Sequence, residues 1–452
     1  MGALYNSLER QQLDAPKCHP KTRLAVIDRI IDWLIGDIDC NALLLWLYGA
    51  AGAGKSAIAH SLAEICDKYG WLLATFFFWK TAAERSDITR FVATIAYQIA
   101  CAIPASRSHI EAAVDANPMI FHQSIDAQLA KLIIEPLRCL HSAGFDFKNS
   151  PFVIIADGLD ECQGTDIQSG LVKSLAAAFH DFPLSIRILI ASRPEIYLQS
   201  TFSTSFIQPH LSRIALSGEY SPQTDIYRFL EDSFYKIRHE HPLASYIPSS
   251  WPSANVLREL TQKSSGQFIF ASTTIKYVGG DPQQLPHRRL EVIRKLRSPK
   301  GEKDMPYEEL NSLYHHVLCN VEDIDTLKRI LGIFVIVNPN PNINKIHTTD
   351  SVDEFFFWER GETMACLSQL ASIVEWDKKG YISILHASLS DFLVDPSRSH
   401  RFYLCRESVF GDCAAFSLRH LRQPELNKYG AFIVHFRKYS STANLQHVLP
   451  QI

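Results

Sequence analysis

A lysine followed at once by a hydroxyl, at the end of a glycine-rich run, is a phosphate-binding pair. The run Gly49-Ala50-Ala51-Gly52-Ala53-Gly54-Lys55-Ser56 has the full spacing, a first glycine, four residues, then Gly-Lys-Ser. Glycines let backbone N–H groups close around phosphate oxygens with no Cβ in the way. Lys55 is placed to reach β- and γ-phosphates, and the Ser56 hydroxyl to ligate Mg²⁺. Gly49 through Ser56, with Ala57 behind them, are the expected nucleotide-contacting residues. A second group with chemistry is Asp157-Gly158-Leu159-Asp160-Glu161, at the end of the apolar run Phe152-Val153-Ile154-Ile155-Ala156. A carboxylate in that position holds Mg²⁺, usually through water, so Asp157 joins Ser56 as the expected metal pair. Asp160 or Glu161 can orient or deprotonate an attacking water, and Glu161 is the favoured one. Arg193 ends a third apolar run, in Ser192-Arg193-Pro194-Glu195. It points at the γ-phosphate if its strand lies between the other two. His386, in Leu385-His386-Ala387-Ser388, precedes an amphipathic segment, and by spacing alone it reads as structural.

These groups need a scaffold that brings distant segments to one edge. Four apolar runs, 43–48, 72–79, 152–156 and 186–191, alternate with helical patterns. Runs apolar on both faces, separated by helices, predict a parallel sheet covered on both sides. Helices are expected over Thr22–Ile35, after the phosphate loop with Ile58, Leu62 and Ile65 on one face, over 88–99 and over 171–179. From about residue 220 the pattern turns helical, and Asp395–Ser399 reads as a loop. The pair 373–376 and 381–385, joined by Asp377-Lys378-Lys379-Gly380, predicts a hairpin beside helices, a winged-helix pattern.

Composition narrows the function classes. The chain has 452 residues, 46% hydrophobic and 21% charged, with net charge −3. That size allows a large core and more than one domain. The charge balance predicts no general attraction to nucleic acid or anionic lipid. No apolar run approaches the ~20 residues that span a bilayer. The polar start MGALYNSLERQQ is no signal peptide, and Asn6 stands where myristoylation expects Ser or Thr. Ten scattered cysteines without a CxxC pair predict free thiols. The expected location is the cytoplasm. Cys18 and His19 have no nearby partners that would make a metal site.

The loop 49–56, the 157–161 box and Ser192-Arg193-Pro194-Glu195 resemble the NACHT class of STAND signal-transduction NTPases. Cys18-His19-Pro20-x-Thr22-Arg23, Phe76-Phe77-Phe78-Trp79, Ala96-Tyr97-Gln98 and His386-Ala387-Ser388 resemble the fungal NACHT, or nephrocystin-like, set. The resemblance implies an α/β P-loop sheet of order 5-1-4-3-2, then a helical domain and a winged-helix-like domain. On that basis the segments are a lead-in over 1–20, a nucleotide-binding domain over 21–215 and a helical domain over 216–300. A winged-helix-like domain over 301–405 follows, then a helical tail over 406–452 as the start of a further domain. The resemblance also implies ATP/ADP with Mg²⁺, slow hydrolysis, self-association on activation, and a contact from His386 to the β-phosphate of ADP. Ala50 departs from the proline usual in the fungal relatives, and no Gly-x-Pro adenine motif is found in the helical segment. Effector and repeat domains of the family have no counterpart in this chain. It reads as a fragment, a truncated paralogue or a bare switch. The competing expectations are a turnover ATPase, such as a motor or nucleic-acid-dependent NTPase, and a non-hydrolysing scaffold.

Overall fold

The computed structural model describes residues 4–6, 17–80, 83–147, 151–180, 186–217, 220, 222–296, 307–338 and 346–421. Most of the lead-in, part of the turn expected at 148–151, most of the loop at 338–341 and the tail beyond 421 lie outside these. The described residues form two compact units, with the division at Asp225/Ile226.

The first unit is built on five parallel strands: β1 (Leu44–Tyr48), β2 (Leu72–Phe77), β3 (Phe152–Asp157), β4 (Ile186–Ser192) and β5 (Leu211–Ala215). Their spatial order is β2-β3-β4-β1-β5, the expected order read from the other edge. The two-residue period of each strand divides its side chains between two cores. Leu44, Trp46, Phe76, Ile154, Ala156, Ile188 and Ile190 face one, packed by helices that include Phe91–Ala102 and Thr165–His180. Leu45, Leu47, Phe77, Val153, Ile155, Leu189 and Ala191 face the other, beneath Leu24–Ile35 and Lys55–Lys68. Both faces are therefore largely dry, which explains why β1 to β4 read as mainly apolar runs. Strand β5 was not among the expected runs. It is an edge strand whose Arg213 is exposed while Ser212 and Ile214 are buried, so its composition is mixed.

The described residues of the lead-in dock on this unit. The Tyr5 N–H donates to Thr75 Oγ1 at 3.1 Å, its hydroxyl donates to Asp67 at 2.6 Å, and Cys18 N donates to Ser61 Oγ at 3.0 Å.

The second unit is helical around one large apolar cluster that includes Leu230, Phe234, Tyr314, Ile330, Phe355 and Phe392. Its hairpin pairs β6 (Val374–Trp376) with β7 (Ile382–Ile384) antiparallel, and Thr348 bridges to Tyr381 beside it. The expected loop at 395–399 is instead a four-residue helix, Pro396–Ser399. Asp395 caps it by accepting from Ser397 N, and Pro396 fits a first helical position because its missing N–H needs no partner there. Among the described residues all ten cysteines are free, and no helix is long and apolar enough to cross a membrane.

Candidate functional site

Register brings the expected site residues to one edge of the sheet. Tyr48, which precedes the loop, pairs with Ser192, which precedes Arg193. Asp157 pairs with Ala191 on one side and Phe77 on the other. Strand β4 lies between β1 and β3, so the condition for Arg193 to face the loop is met. The carboxyl edge of an open parallel sheet, where loops leave in opposite directions, is where ligands bind.

The loop takes the shape its glycines permit. Gly52 and Gly54 have φ of 76° and 93°, in the left-handed region that side chains with Cβ avoid. Gly54 starts the helix Lys55–Lys68 with no side-chain cap, so the first helical N–H groups and the helix dipole suit an anion. Lys55 Nζ curls back and donates to the carbonyls of Gly49 at 2.8 Å and Ala50 at 3.0 Å. Its ammonium lies over the loop and within the field of Asp160, Asp157 and Glu161. Burial lowers its pKa, and the Asp160 charge opposes that shift.

The acidic box separates into three roles by geometry. Asp157 is buried, at 3% exposure, where β3 ends. Asp160 is held by Arg193, whose N–H donates to Oδ1 at 3.0 Å and whose Nε meets Oδ2 at 3.0 Å. Arg193 is thus paired with a carboxylate, a partnership not expected from spacing, because it depends on the β3/β4 register. Glu161 is half-buried, and its Oε2 accepts from Lys80 N at 3.0 Å. Desolvation, reinforced by the Asp160 charge, pushes its carboxyl up to about 7. A carboxyl that titrates near neutrality can hold or release a proton under working conditions, whereas the paired Asp160 serves to orient Arg193.

The turn that separates Asp157 from Asp160 rests on Gly158, with φ of 74° and a built Cβ only 3.2 Å from Phe78 O. Gly158→Ala is therefore expected to cost about 1–2 kcal/mol, read as a lower midpoint in chemical denaturation.

Further contacts at this edge leave no trace in the sequence. Trp46 Nε1 donates to Ser192 Oγ at 2.8 Å, and Ser192 Oγ donates to Arg193 O at 3.0 Å, which ties β1 to the arginine. Trp46 itself is stacked against Tyr48 and Phe202, each with ring centroids 4.4 Å away. Arg23 is buried, and its Nη2 donates to Ala53 O, inside the loop, at 2.6 Å. In the sequence the stretch 18–23 offers the start of a helix, a Cys-His pair without metal partners, and a family likeness. Nothing in the spacing joins Arg23 to a carbonyl thirty residues on.

Mg²⁺ fits this donor set. It favours oxygen ligands and retains waters and substrate phosphates, so Ser56 and one buried carboxylate suffice from the protein. Among the described residues no three His, Cys, Asp or Glu side chains gather into a cage, which a Mg²⁺–nucleotide site does not need. Ser56 and Asp157 would hold the ion.

His386 lies in the second unit as the N-cap of Ala387–Leu393. Its Nδ1 accepts from Ser388 N at 3.0 Å and contacts Ser388 Oγ at 2.7 Å, and Ser388 Oγ in turn meets Tyr314 OH at 2.8 Å. An accepting Nδ1 puts the proton of neutral imidazole on Nε2, making Nε2 a donor.

A glycine loop after β1, an acidic box after β3 and a 2-3-4-1-5 parallel sheet define a P-loop NTPase domain. Residues 27–193 match the family described as Nephrocystin 3, N-terminal. No curated protein matches the chain. Among solved structures, a STAND protein with a tetratricopeptide repeat sensor from Pyrococcus horikoshii is similar at 14% identity and TM-score 0.45. The match covers 93% of this chain and 49% of that one, so the chain spans about half the length of the Pyrococcus protein. The ADP form of the ORC2 protein from Aeropyrum pernix is similar at 12% identity and TM-score 0.37, over 82% of this chain and 92% of that one. Cdc6p from Pyrobaculum aerophilum is similar at 15% identity and TM-score 0.34, over 84% and 96% respectively.

Proposed function

We propose that this chain is an ATP/ADP-controlled signalling switch, with Mg²⁺ held by Ser56 and Asp157 and slow hydrolysis as its reset. The observation that carries the reading is the acidic box. Asp157, the paired Asp160–Arg193 and a Glu161 titrating near 7 lie at the same sheet edge as the phosphate loop. A degraded scaffold would not retain this set. In this proposal Glu161 is the base for the attacking water, Arg193 senses the γ-phosphate, and Asp160 holds the arginine between cycles. The helical unit ends in a winged-helix-like part, and His386 Nε2 donates to the β-phosphate of ADP in a closed state. ATP disfavours that state and permits self-association in the cytoplasm. A switch of this kind needs the nucleotide to favour one state by several kcal/mol.

The test is the size of the protein in ADP and in ATP by light scattering, for wild type and His386→Ala. ATP is expected to enlarge wild-type particles, and His386→Ala to enlarge them in ADP as well. Its ADP affinity is expected to fall roughly tenfold, the value of one lost charge-assisted hydrogen bond, with ATP affinity little changed. Identical size in both nucleotides for both proteins would sink the switch.

A further inference from the structure

The segment Cys18–Arg23 forms a tight turn. Thr22 is buried, and both its N–H, at 3.0 Å, and its hydroxyl, at 2.6 Å, donate to His19 O. The turn delivers Arg23 to the start of the helix Leu24–Ile35 with φ of 59°, a left-handed conformation unfavourable for a residue with a long side chain. Such a backbone persists only where its surroundings hold it. Three contacts do so. Arg23 N donates to Asp225 Oδ2 at 3.0 Å, Nη1 donates to Tyr220 O at 3.0 Å, and Nη2 donates to Ala53 O at 2.6 Å. Arg23 is buried at 4% exposure, a costly place for a cation, and Asp225 supplies the main opposing charge.

Ala53 O belongs to the peptide that joins Ala53 to Gly54. A trans peptide is planar, with its C=O and N–H pointing in opposite directions. A donor that fixes the carbonyl on one side thus fixes the Gly54 N–H on the other, and loop N–H groups of this kind are what receive phosphate oxygens. A hydrogen bond from a cation to the carbonyl also polarises the peptide and strengthens its N–H as a donor. The planar fork of arginine can hold two carbonyls at once, whereas lysine offers one point charge.

We propose that Arg23 is a positioning residue for the phosphate loop: it orients the Ala53–Gly54 peptide so that the Gly54 N–H meets the nucleotide's phosphates, and Asp225 holds Arg23 in place. The proposal rests on the nucleotide-binding reading above. It adds a residue outside the glycine motif, supplied by the turn that precedes the first helix.

The experiment is calorimetric titration of ATP and ADP into the full chain, as wild type, Arg23→Lys, Arg23→Ala and Asp225→Asn. Arg23→Ala is expected to weaken both nucleotides roughly tenfold or more, the range for a charge-assisted hydrogen bond. Arg23→Lys is expected to recover part of that loss, since it restores the charge without the fork. Asp225→Asn, which keeps an acceptor oxygen, is expected to bind almost as wild type. Melting curves without nucleotide separate a misfolded variant from a folded one that binds poorly, and Arg23→Lys carries the test if Arg23→Ala does not fold. Wild-type affinity in folded Arg23→Lys and Arg23→Ala would overturn the proposal while leaving the nucleotide reading intact. An Arg23→Lys affinity no better than that of folded Arg23→Ala would overturn the role of the charge. No binding by the wild-type chain would overturn both readings together.

Discussion

Lys55→Ala is expected to lower ATP affinity by roughly a hundredfold while leaving the protein folded. The ammonium sits over the loop, and two charge-assisted bonds to phosphate oxygens are together worth about 3 kcal/mol. Its present acceptors, Gly49 O and Ala50 O, lie on the loop itself, so no distant element loses an anchor. Burial of Lys55 lowers its pKa, so the charged form is held at a cost that phosphate would relieve. Titration calorimetry reads the affinity, and thermal melting without nucleotide reads the fold. An unchanged dissociation constant would show that the glycine loop is ornamental in this chain.

Glu161→Gln is expected to slow hydrolysis by roughly 10²–10⁴-fold with ATP binding retained, the usual range for losing a positioned base. The amide oxygen of glutamine can still accept from Lys80 N, so the 3.0 Å contact that orients the side chain survives. In the wild type, hydrolysis should rise with pH through about 7, as Glu161 becomes ionised. The same shift has a stability consequence of definite sign. The folded carboxyl is raised from 4.5 to about 7, so the folded state binds the extra proton between those values. Stability contributed by that proton is present below pH 4.5 and lost as pH rises through 7. Glu161→Gln should therefore raise the melting temperature at pH 8 and change it little near pH 4.5. A pH-independent rate, or equal stabilisation at both pH values, would remove Glu161 from the role of base. Asp160 would then be the residue to test, although its pairing with Arg193 already occupies both of its oxygens.

Much of this was legible because burial leaves a compositional trace. The phosphate loop needs particular glycines, and β1 to β4 need apolar residues on both faces, so each was readable from its own segment. The box at 157–161 was readable because a strand rich in Val and Ile ended abruptly in acids. What escaped depends on neighbours supplied by folding. Strand β5 is half exposed, and Leu211-Ser212-Arg213-Ile214-Ala215 lacks the unbroken apolar signature. The Arg193–Asp160 pair follows from β3 and β4 lying side by side, which no local pattern encodes. In the sequence Arg23 stands out only as the end of the string Cys18-His19-Pro20-x-Thr22-Arg23. Its bond to Ala53 became visible only once the turn was folded against the loop. Asp395 was read as part of a loop, since a cap and a proline together look the same whether they break a helix or begin a very short one.

The sheet order bears on how the chain is made. Strand β1, which carries the phosphate loop, pairs with β4 and β5 and with no earlier strand. Those partners lie at 186–192 and 211–215, far downstream of the loop they flank. A nascent chain leaving the ribosome therefore displays the glycine loop long before β1 has a neighbour, while β2 and β3 already have each other. The loop's strand gains both neighbours only after residue 215 has emerged, and any product truncated before residue 186 carries the whole phosphate-binding motif with neither strand that supports it.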